Sequence, residues 1–231
     1  PNRSLGAVPG KVRSYTYIPG GKKDLDFREW MRESVKGRSF VSSGAVVFFT
    51  VNGEMPGSEM TLKSGGKGTM VSVRADARWM GGITSVSIIL NGEIVYTEYG
   101  GGRPKVVLNR NIRLARSSWL AVKVDGLPVD MLNGCAHTAP VYVNIDKRPI
   151  RSRGDARYFV DWIDRHIALL DSANLFDTAA HKERTFALYR KGQDVFRDME
   201  RLSDDPATPG AADAGAGGGA MVMQGMKMVS I

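Results

Sequence analysis

The feature that most constrains this chain is a change of hydrophobic period. Up to about residue 150 apolar residues recur every second position; beyond it they recur at helical spacing. Residues 45–51 form an apolar run long enough for a buried strand. In 70–75, Val71, Val73 and Ala75 share one face, and in 84–90 Val86, Ile88 and Leu90 do the same. Asn91-Gly92 follows and leads into 93–97. This dipeptide supplies the two positive-φ residues of a type I′ turn, so a hairpin is predicted there. Residues 105–108, 118–124 and 140–146 complete a series of about seven strands with glycine-rich joints. The pattern predicts an antiparallel β-sandwich.

Two helices are predicted to follow. The first runs from Asp155 to about Leu170, with Ala156, Phe159, Val160, Ile163, Ile167 and Leu170 as its apolar stripe. The second covers roughly 178–202. Leu188, Val195, Met199 and Leu202 lie on one side, Phe186, Tyr189 and Phe196 beside them, and Gly192 interrupts it. The two form a helical hairpin, in which His166 and His181 fall on solvated faces. Ahead of the strands, 12–18 reads as a strand and 24–36 as a short helix, capped by Asp24 or Asp26 and ended by Gly37. Phe27, Trp30, Met31 and Val35 share one face of that helix. Residues 206–220 hold six Ala, five Gly and two Pro, which bury too little to offset chain entropy. A disordered Ala/Gly/Met-rich tail is expected over 206–231.

The 231 residues carry a net charge of +8, with +9 in residues 1–150 and −1 in the rest. A basic first half suits anionic partners, yet Arg103, Lys105, Arg110, Arg113 and Arg116 have no aromatic residue among them for base stacking. This argues against a nucleic-acid module. No apolar run is long enough for a membrane span. The single cysteine, Cys135, excludes an internal disulfide. With three histidines and one cysteine, a metal site made by this chain alone has few nitrogen and sulfur ligands to draw on. His-x-His, His-Glu-x-x-His, Cys-x-x-Cys and Gly-x-Ser-x-Gly are all absent. The glycine clusters at 65–68 and 100–102 lie between strands and read as turns. His137, just before a strand, has two readings: a substrate contact or acid–base group, or a side chain bonded to a loop carbonyl.

Several phrases occur in a suggestive order. They are Gly10-x-x-Arg13-x-Tyr15, then Gly37-Arg38-Ser39-Phe40-Val41-Ser42-Ser43-Gly44, then Val51-Asn52-Gly53-x-x-Pro56-Gly57. Asn91-Gly92-Glu93-x-Val95, Ser118-Trp119-Leu120-Ala121 and Ala136-His137-Thr138-Ala139-Pro140-Val141-Tyr142-Val143 come next, and Asp155-Ala156-x-Tyr158-Phe159-x-x-Trp162-Ile163-Asp164 closes the series. Over about residues 5–200 this order resembles the C-terminal portion of CehA/McbA-type metallohydrolases, whose catalytic domain is a PHP-type β/α barrel. Two departures are Ala45, where the family often has Pro, and Ala139, where Ser or Asn is commoner.

The resemblance implies an α+β chain in four parts. Residues 1–38 would be the last strand and helix of a truncated barrel, 39–150 the β-sandwich, 151–205 the C-terminal helices and 206–231 the tail. It implies a fragment of a metal-dependent hydrolase acting on an amide, carbamate or phosphoester. Zinc or manganese would be bound in the intact protein by ligands upstream of Pro1, and none by this chain alone. The implied partners are a small-molecule substrate and the chain's own missing N-terminal barrel. No catalytic residue or metal ligand falls here. Arg13, Arg38 and Ser43 are candidates for contacts to substrate or to the ligand-bearing segments, because their stretches leave and rejoin the barrel end; surface ion pairs and a turn are the alternative roles. The rival is a non-enzymatic β-sandwich binding module for carbohydrate or protein. For carbohydrate, the available aromatics Tyr96, Tyr99, Trp79 and Tyr142 form no obvious row.

Overall fold

A computed structural model describes residues 10–19, 26–173 and 175–203. The tail expected at 206–231 lies outside them. The described chain divides into two compact units at Pro149/Ile150.

The first unit is mostly sheet. Its elements are β1 (Arg13–Thr16), α1 (Phe27–Val35), β2 (Ser39–Ser42), β3 (Val46–Val51), β4 (Glu59–Leu62), β5 (Thr69–Leu90), β6 (Glu93–Leu114), β7 (Ser118–Gly126), β8 (Ala136–Thr138) and β9 (Val141–Ile145). One hydrogen-bonded path runs β1-β2-β8-β7-β5-β3, with β6 beside β5 and with β9 joining β7 to β4. All pairs are antiparallel except β4–β9, which is parallel and corrects the fully antiparallel expectation.

The segments 70–75 and 84–90 are not separate strands. They are the two ends of β5, a 22-residue strand that β6 accompanies along its length. The first half of β5 pairs with β3 and the second half with β7, so one bent hairpin serves both layers. The bend falls where the register shifts between Arg78 and Ile83 and again between Ile83 and Ser85. A bulge resets side-chain parity. Odd residues Val71 to Trp79 face the core before it, and Val86 and Ile88 after it. Asn91 and Gly92 both have positive φ and close the hairpin as predicted.

Trp79 holds the bend. Its indole N–H donates to the Leu127 carbonyl at 2.7 Å, and its ring rests on Gly44, Gly126 and Gly134. A Cβ at any of these three glycines would lie 2.6 Å or less from the ring. Trp79 is therefore core and cannot serve as the exposed aromatic considered for a sugar platform. Val71, Val73, Val86, Ile88, Leu120, Val122 and Val141 are all buried in one apolar cluster, whereas Tyr142 faces outward.

The helix α1 starts at Asp26, whose carboxylate accepts from the Arg28 N–H. It ends at Lys36, with Gly37 at φ +75°. Most of its apolar face is exposed: Phe27 is 66% and Val35 83% exposed, and Met31 is exposed too, while Trp30 is half-buried and stacked on Phe27. The buried residue is Glu33, bonded to Lys36 at 2.6 Å and Arg38 at 2.7 Å. Thr16 and Ser34 hydroxyls bond across from β1 to α1.

The second unit is a pair of antiparallel helices, α2 (Arg153–Ala173) and α3 (Ala179–Arg201), with Thr178 capping α3. Ala156, Val160, Ile163 and Phe186 are buried. The seam also holds a Phe159–Phe196 ring stack and the fully buried Gln193, whose amide donates to the Val160 carbonyl and to Asp164. Four residues depart from expectation here. Phe159 stays partly exposed although it stacks on Phe196, and Leu188 and Val195 are exposed because the side of α3 that meets α2 runs through Phe186, Tyr189, Gln193 and Phe196. His166 is half-buried, stacked on Trp162 and bonded to the Tyr189 hydroxyl at 3.1 Å, and so is not a solvated residue; His181 is exposed. Among the described residues, no helix is long and apolar enough to cross a membrane.

Candidate binding groove

In the first unit a groove of about 500 Å³ lies between the β1–β2 ribbon and β3. It arises at the Ser43-Gly44-Ala45 corner, from which β2 and β3 run into different parts of the sheet. Its walls carry Tyr15, Tyr17 and Phe40 on one side and Val46 to Thr50 on the other, with Met55 and Pro56 also lining it. Tyr15 stacks on Phe40 with ring centroids 4.9 Å apart. Phe48 is 59% exposed.

The groove's polar groups are few. Arg38 lines it, but its guanidinium is held by Glu33. Asp76 is clamped by Arg78 at 3.0 Å and Lys105 at 3.6 Å. The Arg78 hydrogen bond holds its carboxyl below the usual value against an opposing effect of burial. Glu33 is lowered likewise, chiefly by the Lys36 bond. Arg74 lines the groove, is exposed, and makes no ion pair with a described residue.

Of the four residues singled out from sequence, only Arg38 lines the groove. Arg13 is exposed on β1, opposite Ser42. Ser43 is a corner residue; its N–H donates to the Cys135 carbonyl and its carbonyl accepts from the Gly134 N–H. His137 projects from β8, flanked in register by Val41 and Lys123. Partial removal of its surroundings from water pushes its pKa below the usual imidazole value, against a backbone bond at Thr138 and with help from Lys123. Burial and the nearby Asp125 carboxylate push the Cys135 thiol upward, which disfavours the thiolate a nucleophile needs. No described hydrogen bond links any two of Arg13, Arg38, Ser43 and His137, and they form no catalytic constellation. Among the described residues no three His, Cys, Asp or Glu side chains come together to hold a metal ion, so the described residues do not fit one. The groove aromatics and Arg74 escaped the sequence reading because an apolar run such as 45–51 looks buried on both faces. Only the pairing partners reveal that Phe48 faces out.

Three of the phrases that carry the family resemblance meet beside this groove. The Gly57 N–H donates to the Pro140 carbonyl and the Ala139 N–H to the Ser39 carbonyl. Gly57 also sits so close to Lys36 and Gly37 that a Cβ there would lie 1.8 Å from the Lys36 carbonyl oxygen.

Neither a family model nor a curated protein matches the sequence. Solved structures match parts of it at low similarity, three of them as follows. The sulfur carrier protein SoxY from Chlorobium limicola f thiosulfatophilum is 20% identical with a TM-score of 0.28, over 41% of this chain and 89% of that one. A structure of the fibronectin(III)-like modules of Clostridium thermocellum CbhA is 12% identical with a TM-score of 0.29, over 46% and 52%. The CARDB domain of the PF1109 protein from Pyrococcus furiosus, in complex with di-metal ions, is 15% identical with a TM-score of 0.30, over 45% and 96%.

Proposed function

We propose that this chain is the non-catalytic C-terminal part of a metal-dependent hydrolase of PHP type, acting on an amide, carbamate or phosphoester. The metal ligands and the reacting groups would lie outside it. The observation that carries this reading is the largely exposed apolar face of α1. Phe27, Met31 and Val35 are exposed while the same helix buries Glu33 on its other side. A helix built this way is suited to sit in a larger layer of protein, as the closing helix of a barrel would. The meeting of the family-like phrases at Gly37, Gly57 and Pro140 supports the same reading, since Gly37 and Gly57 lie at positive φ and in close backbone contact there. In this role the chain supplies docking surface and rigidity, and no step of the reaction is assigned to it.

The test joins this chain to the coding sequence upstream of Pro1 and assays the product with zinc or manganese on ester, carbamate and phosphoester substrates. Metal-dependent hydrolysis that drops when Phe27 and Val35 are changed to Asp supports the reading. A joined protein that binds no metal, or whose hydrolysis ignores those changes, overturns it.

The groove favours a second reading, a sandwich binding module that needs no catalytic partner. Its mark is saturable uptake of a ligand by the chain alone.

A further inference from the structure

The groove has an unusual wall. Val46, Val47, Phe48, Phe49 and Thr50 all line it, although alternate side chains of a strand point to opposite faces. Five consecutive residues can share one groove only if the groove runs along the strand's backbone edge. That edge is unpaired, because among the described residues β3 pairs with β5 and no other strand.

The hydrogen-bond phase identifies which groups are left over. The Asn52 N–H donates to the Ser72 carbonyl at 2.8 Å, while the Val51 N–H turns away to Glu54. The β3–β5 register contains no shift, so Val46, Phe48 and Thr50 bond toward β5. Val47 and Phe49 then direct their N–H and C=O groups into the groove. These four backbone groups have no described protein partner, and both residues are almost wholly buried, so an incoming strand reaches them by displacing side chains that line the groove. Paired backbone groups are the rule at such sites. The edge also lacks the usual protections: β3 contains no charge, proline or bulge.

We infer that the groove accepts an extended segment of a partner polypeptide, which pairs as an added strand with Val47 and Phe49. The inference deepens the binding-module reading and rests on it. Alternate apolar side chains of the segment would lie against Tyr15 and Phe40, and those of the other parity beside Phe48. The charge of the rim sets the rest of the ligand's chemistry. Asp76 is already neutralised by Arg78 and Lys105, whereas Arg74 has no ionic partner among the described residues. The segment should therefore be apolar in its middle and carry an acidic residue at its end.

The experiment titrates the full chain with three synthetic peptides: Val-Thr-Val-Thr-Val flanked by Glu, the same core flanked by Lys, and the Glu peptide N-methylated at alternate residues. The N-methylated peptide keeps the apolar surface but loses ladder donors. The Glu peptide should bind saturably, and the other two about tenfold or more weaker. Amide exchange at Val47 and Phe49 should slow only with the Glu peptide, and Arg74→Glu should reverse the Glu/Lys preference. Equal binding of the N-methylated peptide overturns strand addition while leaving the groove a binding surface. No binding of any peptide overturns the inference and counts against the module reading as well. Binding that appears only after residues 204–231 are removed, or only on dissolving a dimer that Phe48→Glu prevents, overturns the choice of occupant in favour of the chain itself.

Discussion

In the sandwich, alternate residues of β3, β5, β6, β7 and β9 meet in one apolar cluster, and Val73, Ile88, Leu120 and Val143 lose all exposure to solvent. In the helical pair, the same apolar content is spread differently. Ala156, Val160, Ile163 and Phe186 are buried, while Leu188, 71% exposed, joins Val195, Met199 and Leu202 on a bare flank of the second helix. The sandwich thus gathers its alternate apolar side chains into one continuous core. The helical pair closes its seam with aromatic stacks and the polar Gln193, and two helices by themselves gain little from burial. The difference teaches that amphipathic patterning predicts an element, but only a second apolar layer makes it a core.

Four measurements would break or sharpen this contrast. The largest effect is expected in the sandwich. Leu120→Ala should cost about 2–5 kcal/mol in denaturant unfolding, because the cavity opens between well-packed layers; a cost near zero would mean that the two layers do not meet there. In the helical pair, Gln193→Leu should cost about 1–3 kcal/mol by removing the bonds to Val160 and Asp164. That loss should appear in helicity and leave the sandwich transition in place. A change in the sandwich transition would show the two units to unfold together.

A pH effect should separate α1 from the rest of its own unit. The folded Glu33 carboxyl titrates below its ordinary value of 4.5. Its contribution is therefore fully present above that value and is lost as pH falls through the lower, folded one. Amide exchange in α1 should accelerate on acidification before exchange in β5 and β7 does, and simultaneous loss would contradict the assignment. The smallest effect is expected on the bare flank of α3, where Leu188→Lys should shift stability by about 0.5 kcal/mol or less. A larger loss would show that this flank is covered.

Much of this fold was legible in the residues. Val71, Val73 and Ala75 alternate because a half-buried strand must, and Asn91-Gly92 turns because both residues tolerate positive φ. Asp26 and Gly37 bracket α1 for equally local reasons. The period change near residue 150 likewise separates strand from helix without reference to any contact.

What the tertiary structure alone decided is everything that depends on a neighbour distant in sequence. Two apparent strands became one because a bulge lets the chain bend while the hairpin continues, and Trp79 needs glycines contributed from Gly44, Gly126 and Gly134 to sit there. The buried side of α3 was set by Gln193 reaching the α2 backbone, a polar contact that a hydrophobic pattern does not encode. The groove is the clearest case. Residues 45–51 specify a strand by their own stiffness and apolarity, but whether each edge of it is paired depends on where β2 and β5 run. An open edge is a property of the arrangement, since backbone N–H and C=O groups are the same in every residue except proline.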